Sequence, residues 1–409
     1  MNLAKLLETK EILLQHMRNA GYAHDYILNF SRELQWIKAN AEKYVFDSYE
    51  ELCQIRLGLI KDCYASHLRS MYGIFMRFEE NGEFPDRQMH NPIFKRATYY
   101  KLSPYYKNLI DLFVIDAQNK MYQKSTTEKC KSKCSCFFMH LQSIGFSSLE
   151  DVDEKAVLAF FVSKEGESIR SRSYKRDIAM VLNSNLAEHS FFAKRLATFL
   201  PPIPKRCKNI QFLTTEESDA IHKALTDKTS LLSARDRAIG LLLYFTGIRA
   251  GDIADLRLHE IDWKNDLIIR YQGKTGNLIE LPLIPVVGNA LYEYISSERP
   301  KTEDNHIFLW SKPPFAVLSS NAIWVICKKI YAVSGIRQTP QDRKGSHLFR
   351  HHLATHLASQ GITQPIISST LGHSEPTSLS CYLAADIKHL RELALTIEDF
   401  PINKEVFKL

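Results

Sequence analysis

The sequence predicts a mainly α-helical, multidomain protein that carries one small antiparallel sheet in its second half. Three observations lead there. Upstream of position 200, apolar residues recur at helical spacing. The run Pro201-Pro202-Ile203-Pro204 puts three prolines in four residues, which ends a helix and holds the chain extended. Beyond that strap, three short strand candidates stand between helical stretches.

A chain of 409 residues is too long for one ordinary core, so two or three domains are expected. With 45% hydrophobic and 24% charged residues it has the composition of a globular protein rather than a disordered one. No apolar run approaches the roughly 20 residues that span a bilayer. Residues 1–10 carry Glu8 among their leucines and read as an amphipathic helix, not a signal peptide. The expected placement is therefore cytoplasmic, away from membranes, with the eight cysteines reduced.

Residues 1–95 form the first expected region. Leu6, Leu7, Ile12, Leu13 and Met17 make one helical stripe, and Leu52, Ile55, Leu59 and Ile60 another. A break follows where Asn81, Gly82, Pro85, Asp86, Asn91 and Pro92 gather. Residues 96–204 form a second helical domain ending in the proline strap. Residues 205–409 form the third, opening on a helix capped by Thr214 or Thr215 with Glu217 close behind. An apolar helix then covers about 235–245 and stops at Gly247, the expected C-cap. Strands are expected around 261–263, 267–271 and 278–283, with Lys264, Asn265 and Asp266 turning the chain between the first two. Helices resume from Val287 to the end.

The net charge of +7 is mild, and its distribution says more. Residues 1–100 balance 13 Lys and Arg against 13 Asp and Glu, whereas 101–200 hold 15 against 11. Positive charge clusters at Lys120, Lys124, Lys129, Lys131 and Lys133, at Arg170, Arg172, Lys175 and Arg176, and at Lys205, Arg206 and Lys208. Such clusters can neutralise phosphates, or can simply be solvated helix faces.

Three tempting motifs fail. Gly273-Lys274-Thr275 ends like a phosphate-binding loop, but the glycine that motif needs is Ile268. Cys130, Cys134, Cys136 and His140 have ligand-capable spacing, yet Cys134, Phe137, Phe138 and Leu141 make an apolar helix face that suits small buried thiols. His347, His351, His352 and His356 offer i,i+4 pairs, but Leu353 follows His352 and the acid and third ligand of a zinc protease are missing.

Four pieces of the last 200 residues carry the chemistry: Thr246-Gly247-Ile248-Arg249 with Asp252 just after, His347-Leu348-Phe349-Arg350, Leu371-Gly372-His373, and Tyr382. Attack on a phosphodiester builds negative charge on its non-bridging oxygens. Two permanently charged guanidiniums can absorb it, each binding phosphate bidentately. His347 stands three residues before Arg350, on the same helix face.

In order and spacing these pieces resemble the Arg, His-x-x-Arg, His, Tyr pattern of the tyrosine recombinase (phage integrase) family, and Pro365-Ile366-Ile367-Ser368, Pro376 and Tyr382-Leu383-Ala384-Ala385-Asp386 look like its transposon-encoded members. The resemblance implies a helical core-binding domain joined to a mixed α+β catalytic domain. It implies Tyr382 as nucleophile, forming a 3′-phosphotyrosine and freeing a 5′-hydroxyl, with Arg249, His347, Arg350 and His373 around the phosphate. Lys274 falls on the hairpin turn where the family places its general acid, and Asp252 where it places a supporting acid. Arg170, Arg172, Lys175 and Arg176 match a loop-to-helix entry that contacts DNA. The implied partner is double-stranded DNA, bound by a homotetramer across two sites, with other recombinases of the same element as further partners and no cofactor or metal. A type IB topoisomerase would share the chemistry, and a non-catalytic DNA-binding accessory protein would share only the clamp.

Overall fold

The computed structural model describes residues 1–372 except 42, 45, 61, 87–92, 95–96, 164–165 and 205–210. His373, Tyr382 and the apolar segment that follows lie outside the described residues. The chain divides into two compact units, Pro92–Lys208 and a unit of Met1–Asn91 with Asn209–Leu409, the latter described up to Gly372. Among the described residues no helix is long and apolar enough to cross a membrane.

The N-terminal part holds α1 (Leu3–Asn19), α2 (His24–Asn40), α3 (Tyr49–Gly58) and α4 (Ala65–Asn81). α1 packs on α2 and α4, and α3 packs on α4. The buried face of α1 is Leu6, Leu13, Leu14 and Met17. Ile12 and Leu59, expected in buried stripes, are exposed. Ile12 falls off the stripe set by Leu6 and Met17, and Leu59 stands beyond the last residue of α3. The buried carboxylate of Glu33 is matched by Arg56, whose Nε and Nη2 donate at 2.9 and 2.8 Å.

The second unit holds α5 (Pro104–Asn119), α6 (Lys124–Ser143), α7 (Glu154–Phe161), α8 (Arg172–Leu182) and α9 (Ser190–Thr198). α6 runs through its middle, packed on α5, α7 and α8. Cys130, Cys134, Phe137 and Phe138 are fully buried there, and burial pushes the Cys134 thiol well above its ordinary range. His140 meets the Ala156 carbonyl at 3.2 Å. Ser171 caps α8, its hydroxyl accepting from the Tyr174 amide.

The C-terminal part starts with α10 (Thr215–Thr226), capped by a reciprocal Thr214–Glu217 box. α11 (Ala234–Thr246) is buried along most of its length, because α10, α13, α14 and α15 all pack on it. After it come α12 (Ala250–Ala254), β1 (Ile261–Asp262), β2 (Leu267–Tyr271), β3 (Leu278–Pro282), α13 (Pro285–Ser297), α14 (Ser320–Val333), α15 (Ser346–Ser359) and α16 (Gln364–Leu371). The sheet is a meander in the order β1-β2-β3, with Ile268 opposite Ile261 on one side and Leu281 on the other. Helices do not run unbroken from Val287. Between Glu298 and Ser319, a stretch holding Pro300, Pro313 and Pro314, the chain makes only the isolated bridges Arg257–His306 and Leu309–Val317.

α11 ends at Gly247, whose φ of 58° is left-handed. A β-carbon there would stand 3.0 Å from Leu353 and 3.1 Å from Leu371. Gly247→Ala therefore meets both a backbone penalty of about 1–2 kcal/mol and crowding. Its urea midpoint should fall with an unchanged slope; an unmoved midpoint would mean that this cap is not tight.

Candidate active site

The buried shaft of α11 fixes where its cap emerges, and two residues later Arg249 stands at the N-cap of α12. Its guanidinium donates to the Gly372 carbonyl at 3.1 Å and to Oε1 of Gln272. Arg350 lies one turn into α15 and is buried. It donates to the Gly247 carbonyl at 3.0 Å and to the Leu371 carbonyl. Both arginines thus hold the C-terminal end of α16, and Arg350 holds the end of α11 as well. Terminal carbonyls of a helix have no intrahelical donor and carry the negative end of its dipole, so cations stabilise them.

The β2–β3 turn is held separately. The Gly273 amide donates to Oδ1 of Asp252 at 3.0 Å, and Asp252 is buried with Oδ2 unpartnered. Arg270, buried on β2, donates to the Asp252 carbonyl and pairs with Asp255 at 3.1 Å and Glu260 at 3.5 Å. Lys274, next along the turn, is exposed.

His347 stands in the first turn of α15 and is exposed. Loss of solvation among its neighbours holds its imidazole below the ordinary range. The positive charges of Arg350, Arg343, Lys274 and Arg249 push in the same direction. Four cations from three separate parts of the chain therefore act on one ring. Arg249, Lys274, His347, Arg350 and Asp252 are brought together, and His373 follows Gly372 directly in sequence.

The candidate DNA-contacting residues are differently placed. Arg170 lies over the rings of Phe160 and Tyr174, at 4.8 and 5.5 Å. Arg176 is exposed and pairs with Asp177 at 3.1 Å. Arg172 is exposed at the start of α8, and Lys175 is half-buried. Of the lysine cluster, Lys133 is taken up by Asp177 at 2.5 Å, Lys120 by Asp116 at 2.7 Å, and Lys131 lies 3.9 Å from the Tyr99 ring. His352 meets Ser218 at 3.2 Å, and His351 meets Arg343. Among the described residues no three His, Cys, Asp or Glu side chains group as metal ligands.

Sequence reasoning missed Gln272, Arg270 and Arg343. A signal existed for two of them. Along β2 the inward positions are Ile268 and Arg270, and Gln272 continues that parity just beyond the strand. A polar residue at an inward position needs a buried partner.

Comparison with known proteins agrees with this arrangement. Residues 211–389 match the phage integrase family. A putative integrase/recombinase of Sinorhizobium fredii is 33% identical over 174 residues, which are 42% of this chain and 88% of that protein. The chain belongs to the phage integrase family of tyrosine recombinases. Tyrosine recombinase XerA of Pyrococcus furiosus is 30% identical over 55% of the chain and 75% of its own length. The fold matches XerH, solved on its palindromic difH substrate, with a TM-score of 0.53 at 17% identity over 73% of this chain and 96% of that one. It also matches a lambda integrase dimer solved on a COC′ core site, at 0.52 and 19% over 75% and 83%.

The depressed His347 value gives this tyrosine recombinase a pH dependence of definite sign. The native state takes up the proton only at lower pH than the unfolded chain, which takes it up near pH ~6.5. Stability contributed above that pH is lost as pH falls. Burial, then His356, moves His352 the same way, so the test compares variants. Between pH ~7 and ~5 the melting temperature of His347→Gln should fall less than that of the wild type; parallel curves would contradict the placement of His347.

Proposed function

We propose that this chain is a site-specific DNA recombinase of a mobile element, cutting and rejoining double-stranded DNA through a 3′-phosphotyrosine on Tyr382. One observation carries the reading: Arg249 and Arg350 converge on the C-terminal end of α16, with His347 and the Lys274 turn in their field. A phosphodiester beside that cluster would meet two fixed guanidiniums, which suits a transition state with charge on its non-bridging oxygens. A guanidinium has five N–H donors, so anchoring to carbonyls and binding phosphate are compatible tasks.

In the reaction, the Tyr382 oxygen bonds to phosphorus as the P–O5′ bond breaks. A free phenol has a pKa near ~10, so the surrounding cations favour its ionised form. Lys274 gives its proton to the departing O5′. Asp252 holds that lysine's turn through the Gly273 amide. Because the phosphotyrosine stores the bond energy, a 5′-hydroxyl of another strand can reverse the step without ATP. In the DNA-free chain, loss of solvation and the nearby cations hold the His347 imidazole below its ordinary range; beside a phosphate it would serve as a hydrogen-bond donor.

Residues 96–204 serve as the clamp domain, and the exposure of Arg172 supports it as a phosphate contact. The mobile-element assignment draws on Pro365-Ile366-Ile367-Ser368, Pro376 and the residues after Tyr382. Assembly is proposed as a homotetramer joining two DNA sites, its apolar stripe Ile387, Leu390, Leu393 and Leu395 packing on a neighbour.

Two experiments test the chemistry. On DNA spanning the borders of its own gene, the wild type should give a covalent adduct mapping to one site. Tyr382→Phe should bind the same DNA and give none; adduct at the wild-type level would remove Tyr382 from its role. Lys274→Ala should cleave ordinary DNA about 10²-fold or more slowly and recover on a 5′-bridging phosphorothiolate, whose leaving group needs no proton. Equal defects on both substrates would reduce Lys274 to a phosphate contact.

A further inference from the structure

Gln272 is almost fully buried just past the end of β2, and each polar end of its amide is engaged by part of the cluster. Oε1 accepts from Arg249, and from the Thr275 hydroxyl at 2.8 Å. Nε2 donates to the Leu371 carbonyl at 3.3 Å, the same oxygen that receives Arg350. Its backbone closes the turn that carries Lys274: the amide donates to the Asn277 carbonyl at 2.9 Å, and the carbonyl accepts from Gly276 at 2.8 Å. One residue therefore belongs by its backbone to the lysine turn and by its side chain to Arg249 and the end of α16.

The guanidinium can only donate and the Leu371 carbonyl can only accept, so together they fix which end of the amide faces Arg249. The other end must then face the Leu371 carbonyl. Gly372 fits the same arrangement. Its φ of 61° is left-handed, and a β-carbon there would run into the Gln272 amide. The chain at 371–372 thus approaches this side chain as closely as glycine permits, one residue before His373.

Resting on the recombinase reading above, we infer that Gln272 is a positioning residue that locks Arg249 and the 371–372 carbonyls into one geometry. It acts on the phosphate-stabilising step and not on protonation of the leaving oxygen. A buried amide tying a guanidinium to a backbone cap removes freedom that the guanidinium would otherwise lose on reaching the transition state.

Gln272→Met keeps the approximate volume and removes both polar ends. Thr275→Val removes only the hydroxyl that adds a second donor to Oε1. On a single-site substrate that traps the adduct, Gln272→Met should form it about 10- to 100-fold more slowly at saturating DNA, with the half-saturating DNA concentration within about twofold of wild type. The deficit should persist on the 5′-bridging phosphorothiolate, where the Lys274→Ala deficit disappears. Thr275→Val should show the same pattern at about 3- to 10-fold, and carries the test if Gln272→Met does not fold. A rate within twofold of wild type, or full recovery with sulfur, overturns the inference; recovery would mean that Gln272 acts through the lysine. Backbone hydrogen exchange needs no activity: in the variants, amides at the C-terminal end of α16 should exchange faster while the β2–β3 ladder is unchanged. Unchanged exchange there overturns the inference. A wild type that forms no adduct at all counts against the recombinase reading, and the exchange measurement still decides the role of Gln272.

Discussion

Two permanently charged guanidiniums must be held close together and partly out of water. The rest of the site depends on how that constraint is met. Among the described residues, Arg249 and Arg350 both donate to backbone carbonyls at the ends of two helices: Gly247 ends α11, and Leu371 and Gly372 end α16. A carbonyl at a helix end is negative enough to hold a cation but remains a dipole. It can therefore orient an arginine without cancelling the charge that a phosphate needs. Of the described acidic side chains nearby, Asp252 accepts from a backbone amide, and Asp255 and Glu260 pair with Arg270.

The architecture follows from those anchors. α11 must be buried on several sides, because its end sets both a carbonyl for Arg350 and the position of Arg249. α11 and α16 must both end in a left-handed residue, and glycine supplies it each time. Lys274 is treated differently. It stands exposed on a turn, tied to the cluster through Asp252 and Gln272 rather than packed within it. That division suits two tasks: charge stabilisation wants fixed groups, while proton delivery wants an amine that can reach a leaving oxygen and be reprotonated from solvent.

The anchoring residues differ in how plainly the sequence announces them. α11 was legible because an apolar run ending in glycine has few other outcomes, and the β2–β3 hairpin because its alternation is clear. Arg249, His347 and Arg350 stand out through motifs that resemble the family's, Lys274 through the hairpin turn where that resemblance places a lysine, and the structure gathers them. Gln272 was not found, since a glutamine before a Gly-Lys turn reads as a solvent-facing loop residue until its inward parity is counted. The N-terminal helices show the reverse error. Ile12 and Leu59 are apolar but lie off the buried faces, because a stripe drawn through too few residues tolerates shifts in register. Arg170, expected at a DNA-contacting entry, has its guanidinium over Phe160 and Tyr174, a packing that the sequence does not announce.

The central claim is that this cluster of cations serves a tyrosine that becomes covalently bonded to DNA. The most direct measurement is to trap the wild-type protein on a nicked substrate, digest the complex, and sequence the nucleotide-bearing peptide by mass spectrometry. The account predicts a single modified residue, Tyr382, joined to a 3′-phosphate. A nucleotide on another residue, or a 5′ linkage, would contradict it.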